Sequence, residues 1–273
     1  MTTPSIKLTR TPAAPALLGL DATQSQAVAH RGSPLLIAGG PGTGKTSVLI
    51  EAALSRITAG QDPDSILLIT YGRERASELR DAIALRTTVT MHEPLARTFH
   101  SLAYSILKMD SGDNYHEPIL LSGPEQENFI GQLLEGDVID GYREWPVDLH
   151  DGDDKKGNPL LTQGFIRELR DLIMRANERG ITPEQLAVRG EKVGEKYWAP
   201  AADFWQRYKE VMAIREDTAG DAKMRIDPSE IINLAKRYLT KNPELLAELR
   251  GRFTTIIVDE FQESDPSQRE LLD

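Results

Sequence analysis

Apolar residues fall into two patterns along this chain: short continuous runs near its two ends, and helical spacing between them. Three runs have the length of buried strands, at residues 33–40, 65–70 and 253–260. Helical spacing follows the first two runs, over residues 45–60 and 73–84. Strands that alternate with helices predict a parallel sheet covered by helices, which is an α/β fold.

The middle of the chain is different, because residues 116–250 carry helical periodicity with only "PILL" (118–121) as a candidate strand. We therefore predict an α/β domain made of residues 18–115 and 251–273, with an all-helical insertion at 116–250. Residues 1–17 are rich in Thr, Pro and Ala and are expected to form a flexible arm. A short helix is predicted at 20–30, with Asp21 and Thr23 as its two candidate caps. Residues 89–108 are expected to begin extended and become helical.

Composition supports a folded protein and indicates the cellular compartment in which it is expected. Hydrophobic residues make up 40% of the 273 residues, enough for a sizeable core. The chain has no cysteine, which excludes disulfides and thiolate metal sites and fits a reducing compartment. Its first residues do not resemble a secretory signal, and it contains no apolar run of membrane-spanning length. We expect a cytoplasmic protein with no membrane partner.

Charge is distributed unevenly along the chain, whose formal net charge is -10. Residues 1–110 contain 11 Lys and Arg against 9 Asp and Glu, whereas residues 111–273 contain 21 against 33. A polyanion is therefore expected to meet the first part of the chain. The alternative is that the acidic surface serves solubility alone.

The stretch "GGPGTGKT" fits the phosphate-loop pattern G-x-x-x-x-G-K-[ST] and lies between a predicted strand and a predicted helix. Glycines let the backbone turn tightly, so that N–H groups at the helix start can bind phosphate. Lys45 is expected to reach the β- and γ-phosphates, and Thr46 to ligate Mg²⁺. The predicted nucleotide-binding residues here are Gly39, Gly40, Pro41, Gly42, Thr43, Gly44, Lys45, Thr46 and Ser47.

The third apolar run ends in "VDEFQES", which places two acids at the end of a predicted parallel strand. Asp259 is expected to hold Mg²⁺, and Glu260 to polarise the water that attacks the γ-phosphate. Gln262 is placed to sense the γ-phosphate. The alternative is an acidic strand end that caps the next helix. Because the phosphate loop is also present, ATP and Mg²⁺ are the predicted cofactors.

Together these stretches resemble the UvrD/Rep/PcrA-like superfamily 1 DNA helicases. "LDATQSQAV" resembles the family's Q-motif, which implies that Gln24 hydrogen-bonds the adenine edge. "ILLITYGRERASELR" and "TFHSLA" resemble its motifs Ia and Ib, which contact single-stranded DNA. The residues that the resemblance assigns to DNA are Thr70, Tyr71, Arg73, Thr98, Phe99 and His100. His100 has an alternative role as a cap of the helix that follows it.

Several positions depart from the family pattern. Gly72, Arg73 and Glu74 replace the usual Thr-Asn-Lys of motif Ia, and Ser47 stands where many relatives have arginine. Asp259 lies 214 residues after Lys45, a longer spacing than in compact repair helicases, which points toward the Adn-type helicase-nuclease motors.

For two other groups of residues, a structural role is favoured over contact with DNA. The "RERASELR" run is predicted to be mainly a solvated helix face, although Arg73 and Arg75 begin it close to the expected strand groove. Trp198 and Trp205 favour core packing over base stacking, and Pro200 makes it uncertain that one helix holds both.

The resemblance implies the N-terminal part of an ATP-dependent helicase that moves 3′ to 5′ on single-stranded DNA and unwinds duplex in DNA repair or recombination. Its expected partners are single-stranded DNA, junctions of single- and double-stranded DNA, and a second motor or nuclease subunit. Relatives complete the site with arginines from a second domain, so this piece alone is expected to bind nucleotide but to be catalytically incomplete. The alternatives are a different phosphate-loop ATPase, or a DNA-binding scaffold motor without unwinding activity.

Overall fold

A computed structural model describes residues 19–109, 117–141, 145–149, 157–218 and 223–273. Its strands are β1 (Ile66–Thr70), β2 (Ala96–Thr98), β3 (Glu117–Leu120), β4 (Lys223–Ile226) and β5 (Thr255–Val258). Its helices are α1 (Ala22–Ala29), α2 (Lys45–Thr58), α3 (Arg73–Ala84), α4 (Phe99–Leu107), α5 (Gly123–Ile139), α6 (Gln163–Glu178), α7 (Pro183–Val193), α8 (Trp198–Thr218), α9 (Ile231–Lys241), α10 (Pro243–Arg252) and α11 (Pro266–Leu272). No helix in these ranges is long and apolar enough to span a membrane.

The chain forms two compact units. The first contains the described residues up to Phe99 together with Glu244–Glu263, and the second contains His100–Pro243 and Ser264–Asp273. These divisions differ from the predicted domain boundaries at 115/116 and 250/251. Helix α4 after Phe99 and the last ten residues group with the second unit, whereas residues 244–250 group with the first. The predicted arm at 1–17 lies outside the described residues.

The first unit is built on a parallel sheet with the strand order β2-β1-β5. Ile69 pairs with Val258, and Thr70 pairs with Thr98, so the carboxyl ends of all three strands meet at one edge. Ligands of open α/β sheets bind at this edge. The register therefore brings together the residues that follow β1, β2 and β5.

A hydrophobic cluster joins α2 and α3 to β1. Leu49, Ala53 and Ile57 repeat at helical spacing along α2 and are buried, as is Leu79 of α3. All five residues of β1 are also buried. Burying a large aliphatic side chain contributes about 1.5–3 kcal/mol, so this cluster fixes α2 on the sheet.

The prediction of a buried strand at residues 33–40 is wrong for this structure. The segment forms no strand, and Leu36 is 79% exposed. A strand persists only where its backbone groups pair with a neighbour. Among the described residues, β5 pairs with β1 alone, and no strand lies beside residues 33–40. The apolar composition of residues 33–40 is typical of a strand, but composition does not show whether another strand is available to pair with it.

The second unit is mainly helical, as predicted, but it is not all-helical. Strands β3 and β4 form a parallel pair in which Leu120 lies opposite Ile226. "PILL" had already indicated β3, whereas β4 is the four-residue segment "KMRI", which mixes charged and apolar residues. The four residues of β4 alternate between charged and apolar, the period of a half-buried strand, so the sequence did carry a short signal for it.

Helices α5 to α8 enclose the core of the second unit. Trp205, Phe204 and Tyr208 of α8 pack there with Leu134 of α5 and Leu169 of α6. The preference for core packing over base stacking is confirmed for Trp205, which is 1% exposed.

One helix, α8, holds both tryptophans that the sequence singled out. Trp198 is its first residue, and Pro200 lies in its first turn, where proline is tolerated. Trp198 is partly buried and packs against the same core as Trp205. The uncertainty that Pro200 introduced is thus resolved in favour of a single helix.

Candidate nucleotide-binding site

The phosphate loop turns through two glycines with left-handed backbone angles. Gly42 has φ 73° and Gly44 has φ 82°, a region that strongly favours glycine. Gly44 also precedes α2 and forms no side-chain cap, so no capping hydrogen bond occupies the first N–H groups of that helix. The N-terminus of α2 is therefore open to an anion, as the motif requires.

Close packing inside the loop explains the glycine at its first position. The Thr43 hydroxyl donates to the Gly40 carbonyl at 2.8 Å. A Cβ atom at Gly39 would lie 2.7 Å from the Thr43 Oγ1 atom, which is too close for any other residue. Pro41 lies exposed in the turn, and Ser47 lies in the first turn of α2.

Lys45, the first residue of α2, folds back over this loop. Its ammonium group donates to the Gly39 carbonyl at 2.8 Å and to the Gly40 carbonyl at 3.0 Å. Both acceptors belong to the loop that is expected to surround the phosphates. The lysine charge is thus held above the loop, where a phosphate oxygen can replace a carbonyl as its partner.

Gln24 ties α1 to the phosphate loop. Its amide nitrogen donates to the Thr43 carbonyl at 3.1 Å, and its amide oxygen accepts from the Asp21 N–H at 3.0 Å. Asp21 caps α1 in return, so of the two candidate caps Asp21 is the one used. Both ends of the Gln24 amide are engaged in this structure, although the resemblance assigns them to the adenine edge.

Asp259 and Glu260 follow β5 at the carboxyl edge of the sheet. Asp259 is 4% exposed, and its N–H donates to the Ile69 carbonyl of β1 at 2.8 Å. Glu260 is exposed and has φ 48°, a left-handed angle that is strained in a residue with a side chain. The Gln262 amide donates to the Glu260 carboxylate at 2.5 Å.

The acids at the end of β5 do not cap α11, the next α-helix. The cap of α11 is Asp265, which forms a reciprocal capping box with Gln268. Neither Asp259 nor Glu260 occupies that position.

Arg75, which the sequence placed near the expected strand groove, has contacts in the nucleotide site that the sequence did not predict. Its guanidinium donates to the Thr46 hydroxyl at 2.6 Å, and its Nε atom lies 3.5 Å from the Asp259 carboxylate. A third contact, 2.9 Å long, joins it to Glu78. Hydrogen bonding to Glu78 and the nearby Asp259 carboxylate raise the pKa of Arg75, so the group stays charged. Its place in the first turn of α3, directly after β1, was the available signal.

The two side-chain groups predicted to hold Mg²⁺, the Thr46 hydroxyl and the Asp259 carboxylate, thus both contact the Arg75 guanidinium. A hydroxyl and a carboxylate are the hard oxygen ligands that Mg²⁺ prefers. In this structure the Arg75 guanidinium stands between them, which shows that Thr46 and Asp259 can share a single positive partner. The donor chemistry, a hydroxyl beside a carboxylate, fits a magnesium site.

The residues assigned to DNA divide by exposure. Thr70, Thr98 and Phe99 are buried, and Phe99 is only 1% exposed. Tyr71 is partly exposed and packs on Phe99, with ring centroids 5.7 Å apart. Phe99 therefore supports Tyr71 from within the core, so its side chain offers no surface to a base.

Arg73 and His100 are the two basic members of this set, and both are exposed. Arg73 is the first residue of α3. His100 is the second residue of α4, inside the helix, whereas an N-cap residue precedes the first helical residue.

The first unit combines a parallel sheet, a phosphate loop and the Asp259 carboxylate at the end of β5. These features define a phosphate-loop α/β domain. The family model described as the UvrD/REP helicase N-terminal domain matches residues 20–273. The chain belongs to this family.

Relatives agree with that assignment. DNA helicase II of Escherichia coli is 26% identical over 252 residues, which are 91% of this chain and 31% of the relative. DNA helicase IV of E. coli is 28% identical, over 93% of this chain and 37% of the relative. ATP-dependent DNA helicase UvrD1 of Mycobacterium tuberculosis is 25% identical, over 96% and 31%. The chain spans about a third of the length of these relatives.

Proposed function

We propose that this chain is the ATP-binding part of a DNA helicase, which couples ATP hydrolysis to movement along single-stranded DNA and to duplex unwinding. The observation that carries the proposal is the convergence of Thr46 and Asp259 on one cation beside the phosphate loop. Membership of a helicase domain family supports DNA as the polymer on which the motor acts.

Each residue of the site has a separate role in phosphoryl transfer. Lys45 pairs with β- and γ-phosphate oxygens, while Thr46 and Asp259 hold Mg²⁺. Bound there, Mg²⁺ would neutralise charge on the phosphates. Glu260 would accept a proton from the attacking water, since it follows Asp259 at the end of β5 and its side chain is exposed. Gln262 donates to Glu260 and so links the base to the state of the γ-phosphate.

On the DNA side we assign stacking on a base to Tyr71 and phosphate contact to Arg73. Stacking on an aromatic ring contributes about 1–3 kcal/mol per base and does not depend on sequence. Phe99 holds the Tyr71 ring in place, and His100 is a further candidate for contact with the backbone of the strand. Thr70 and Thr98 act by shaping this edge of the sheet, since their side chains are buried.

The finer expectations remain part of this proposal. They are 3′ to 5′ movement, action at junctions of single- and double-stranded DNA, a role in repair or recombination, and assembly with a second motor or nuclease subunit. The chain alone binds nucleotide but hydrolyses it slowly, because arginines that a second domain supplies in related systems contribute about 10³–10⁵ in rate.

ATP hydrolysis, measured with and without single-stranded DNA, tests the proposal. In the full-length protein DNA is expected to stimulate hydrolysis, and a duplex with a 3′ tail is expected to unwind faster than one with a 5′ tail. This chain alone is expected to turn over slowly under the same conditions. Hydrolysis without DNA stimulation would favour a different phosphate-loop ATPase, and DNA binding without unwinding would favour a scaffold motor.

A further inference from the structure

Arg75 occupies the position that the proposed site needs for its metal ion. The guanidinium contacts the Thr46 hydroxyl at 2.6 Å and lies 3.5 Å from the Asp259 carboxylate. These are the two side-chain oxygens assigned to Mg²⁺. Magnesium binds its oxygen ligands at about 2.0–2.1 Å and demands a nearly regular octahedron around it. A guanidinium and a magnesium ion cannot share that space, and their charges repel.

The burial of Asp259 explains why a cation belongs there before the metal arrives. Asp259 is 4% exposed, and a buried carboxylate without a partner is strongly disfavoured. Arg75 supplies the missing charge from the first turn of α3. The arginine therefore stabilises the site in its metal-free form.

Arg75 also has a second ion-pair partner, Glu78, that it can keep when it separates from Asp259. Its side chain is 41% exposed, and Glu78, one turn further along α3, already contacts it at 2.9 Å. The pairing of Arg75 with Glu78 needs no change in the backbone of α3, because residues three apart lie on the same face of a helix. The guanidinium can thus turn toward Glu78 and solvent while the helix stays in place.

We propose that Arg75 competes with Mg²⁺ for Thr46 and Asp259, so that binding of the metal with nucleotide displaces its guanidinium. The inference rests on the proposed nucleotide site and adds a regulatory element to it. Arg75 raises the concentration of Mg²⁺ at which nucleotide binds, and it keeps Asp259 neutralised between binding events. It acts as a positioning residue through the two metal ligands.

Divalent-metal titrations of wild-type protein, Arg75→Met and Arg75→Gln test the competition. Both variants keep much of the side-chain volume and remove the charge. We expect half-maximal binding of a fluorescent ATP analogue to need about 2- to 5-fold less Mg²⁺ in either variant, the range that a partly exposed ion pair supports. Binding of the analogue in EDTA is expected to stay unchanged, which separates metal competition from a general change in the loop.

Arg86→Met is the matched control. Arg86 follows the opposite end of α3 and pairs with Glu51 at 2.5 Å, so its loss removes an equal charge from a different ion pair. The control is expected to leave the Mg²⁺ requirement unchanged. Thermal unfolding without metal verifies that all three variants are folded.

Mn²⁺ alone, followed by the electron paramagnetic resonance of the free ion, gives a second readout that needs no nucleotide. The Arg75 variants are expected to bind Mn²⁺ more tightly than wild type, and Asp259→Asn is expected to cancel the gain. An unchanged or weakened metal affinity would overturn the competition, and weaker nucleotide binding would show Arg75 to be a phosphate contact. Tighter Mn²⁺ binding without any nucleotide binding would support the competition while refuting the nucleotide site.

Discussion

Replacing Glu260 by glutamine is expected to lower DNA-stimulated ATP hydrolysis of the full-length protein by about 10²–10⁴-fold, the range of general base catalysis. Glutamine keeps the shape of the side chain but cannot take a proton from water. Glu260 is exposed at the end of β5, so the exchange should leave the fold unchanged. Steady-state hydrolysis and equilibrium binding of an ATP analogue should be measured together, and binding is expected to persist.

Glu263→Gln provides the comparison for that loss. Glu263 is also exposed and lies three residues further along, but its side chain has no assigned role. Its substitution is expected to change the rate less than about twofold, as exposed positions usually do. Equal rates for wild type and Glu260→Gln would remove Glu260 from the mechanism.

The largest effect on stability is expected from Trp205→Ala in the second unit. Trp205 is 1% exposed and packs in the core formed by α5 to α8. Truncating a buried tryptophan costs about 3–5 kcal/mol, because apolar contacts are lost and a cavity remains. The free energy of unfolding should be measured by urea titration, with hydrogen exchange used to assign the transition to this unit.

Trp205→Phe distinguishes the effect of losing side-chain volume from the effect of losing the indole N–H. Within the described part of the chain, the buried indole N–H of Trp205 has no hydrogen-bond partner. Phenylalanine removes that unpaired polar group, so its cost should be well below that of alanine. Val193→Ala, at an exposed position of α7, is expected to cost almost nothing. A loss below about 1 kcal/mol for Trp205→Ala would contradict the packing described for this core.

Local features were the easiest part of this molecule to predict from sequence. Helix α3 begins and ends at the predicted residues 73 and 84, and α1 is capped by Asp21, one of two candidates. The phosphate loop was recognisable because glycine, lysine and threonine must stand at fixed spacing. Each of these features depends on neighbours within a few positions along the chain.

Features that depend on distant pairing were harder to predict. The run at 33–40 has the composition of a strand, yet a strand also needs a partner, and sequence periodicity does not name one. The contacts of Arg75 in the nucleotide site were missed for the same reason. Its contact with Asp259 follows from the adjacency of β1 and β5, which are separated by most of the chain.

Binding of a fluorescent ATP analogue to this chain, with and without Mg²⁺, tests the central claim most directly. Wild type should bind in a Mg²⁺-dependent way, and Lys45→Ala should weaken binding by about 10- to 100-fold, as the loss of a charged hydrogen bond implies. Asp259→Asn should weaken binding only when Mg²⁺ is present, and Lys108→Ala should have no effect. If Lys45→Ala bound the analogue as tightly as wild type, the phosphate loop would not be the nucleotide site.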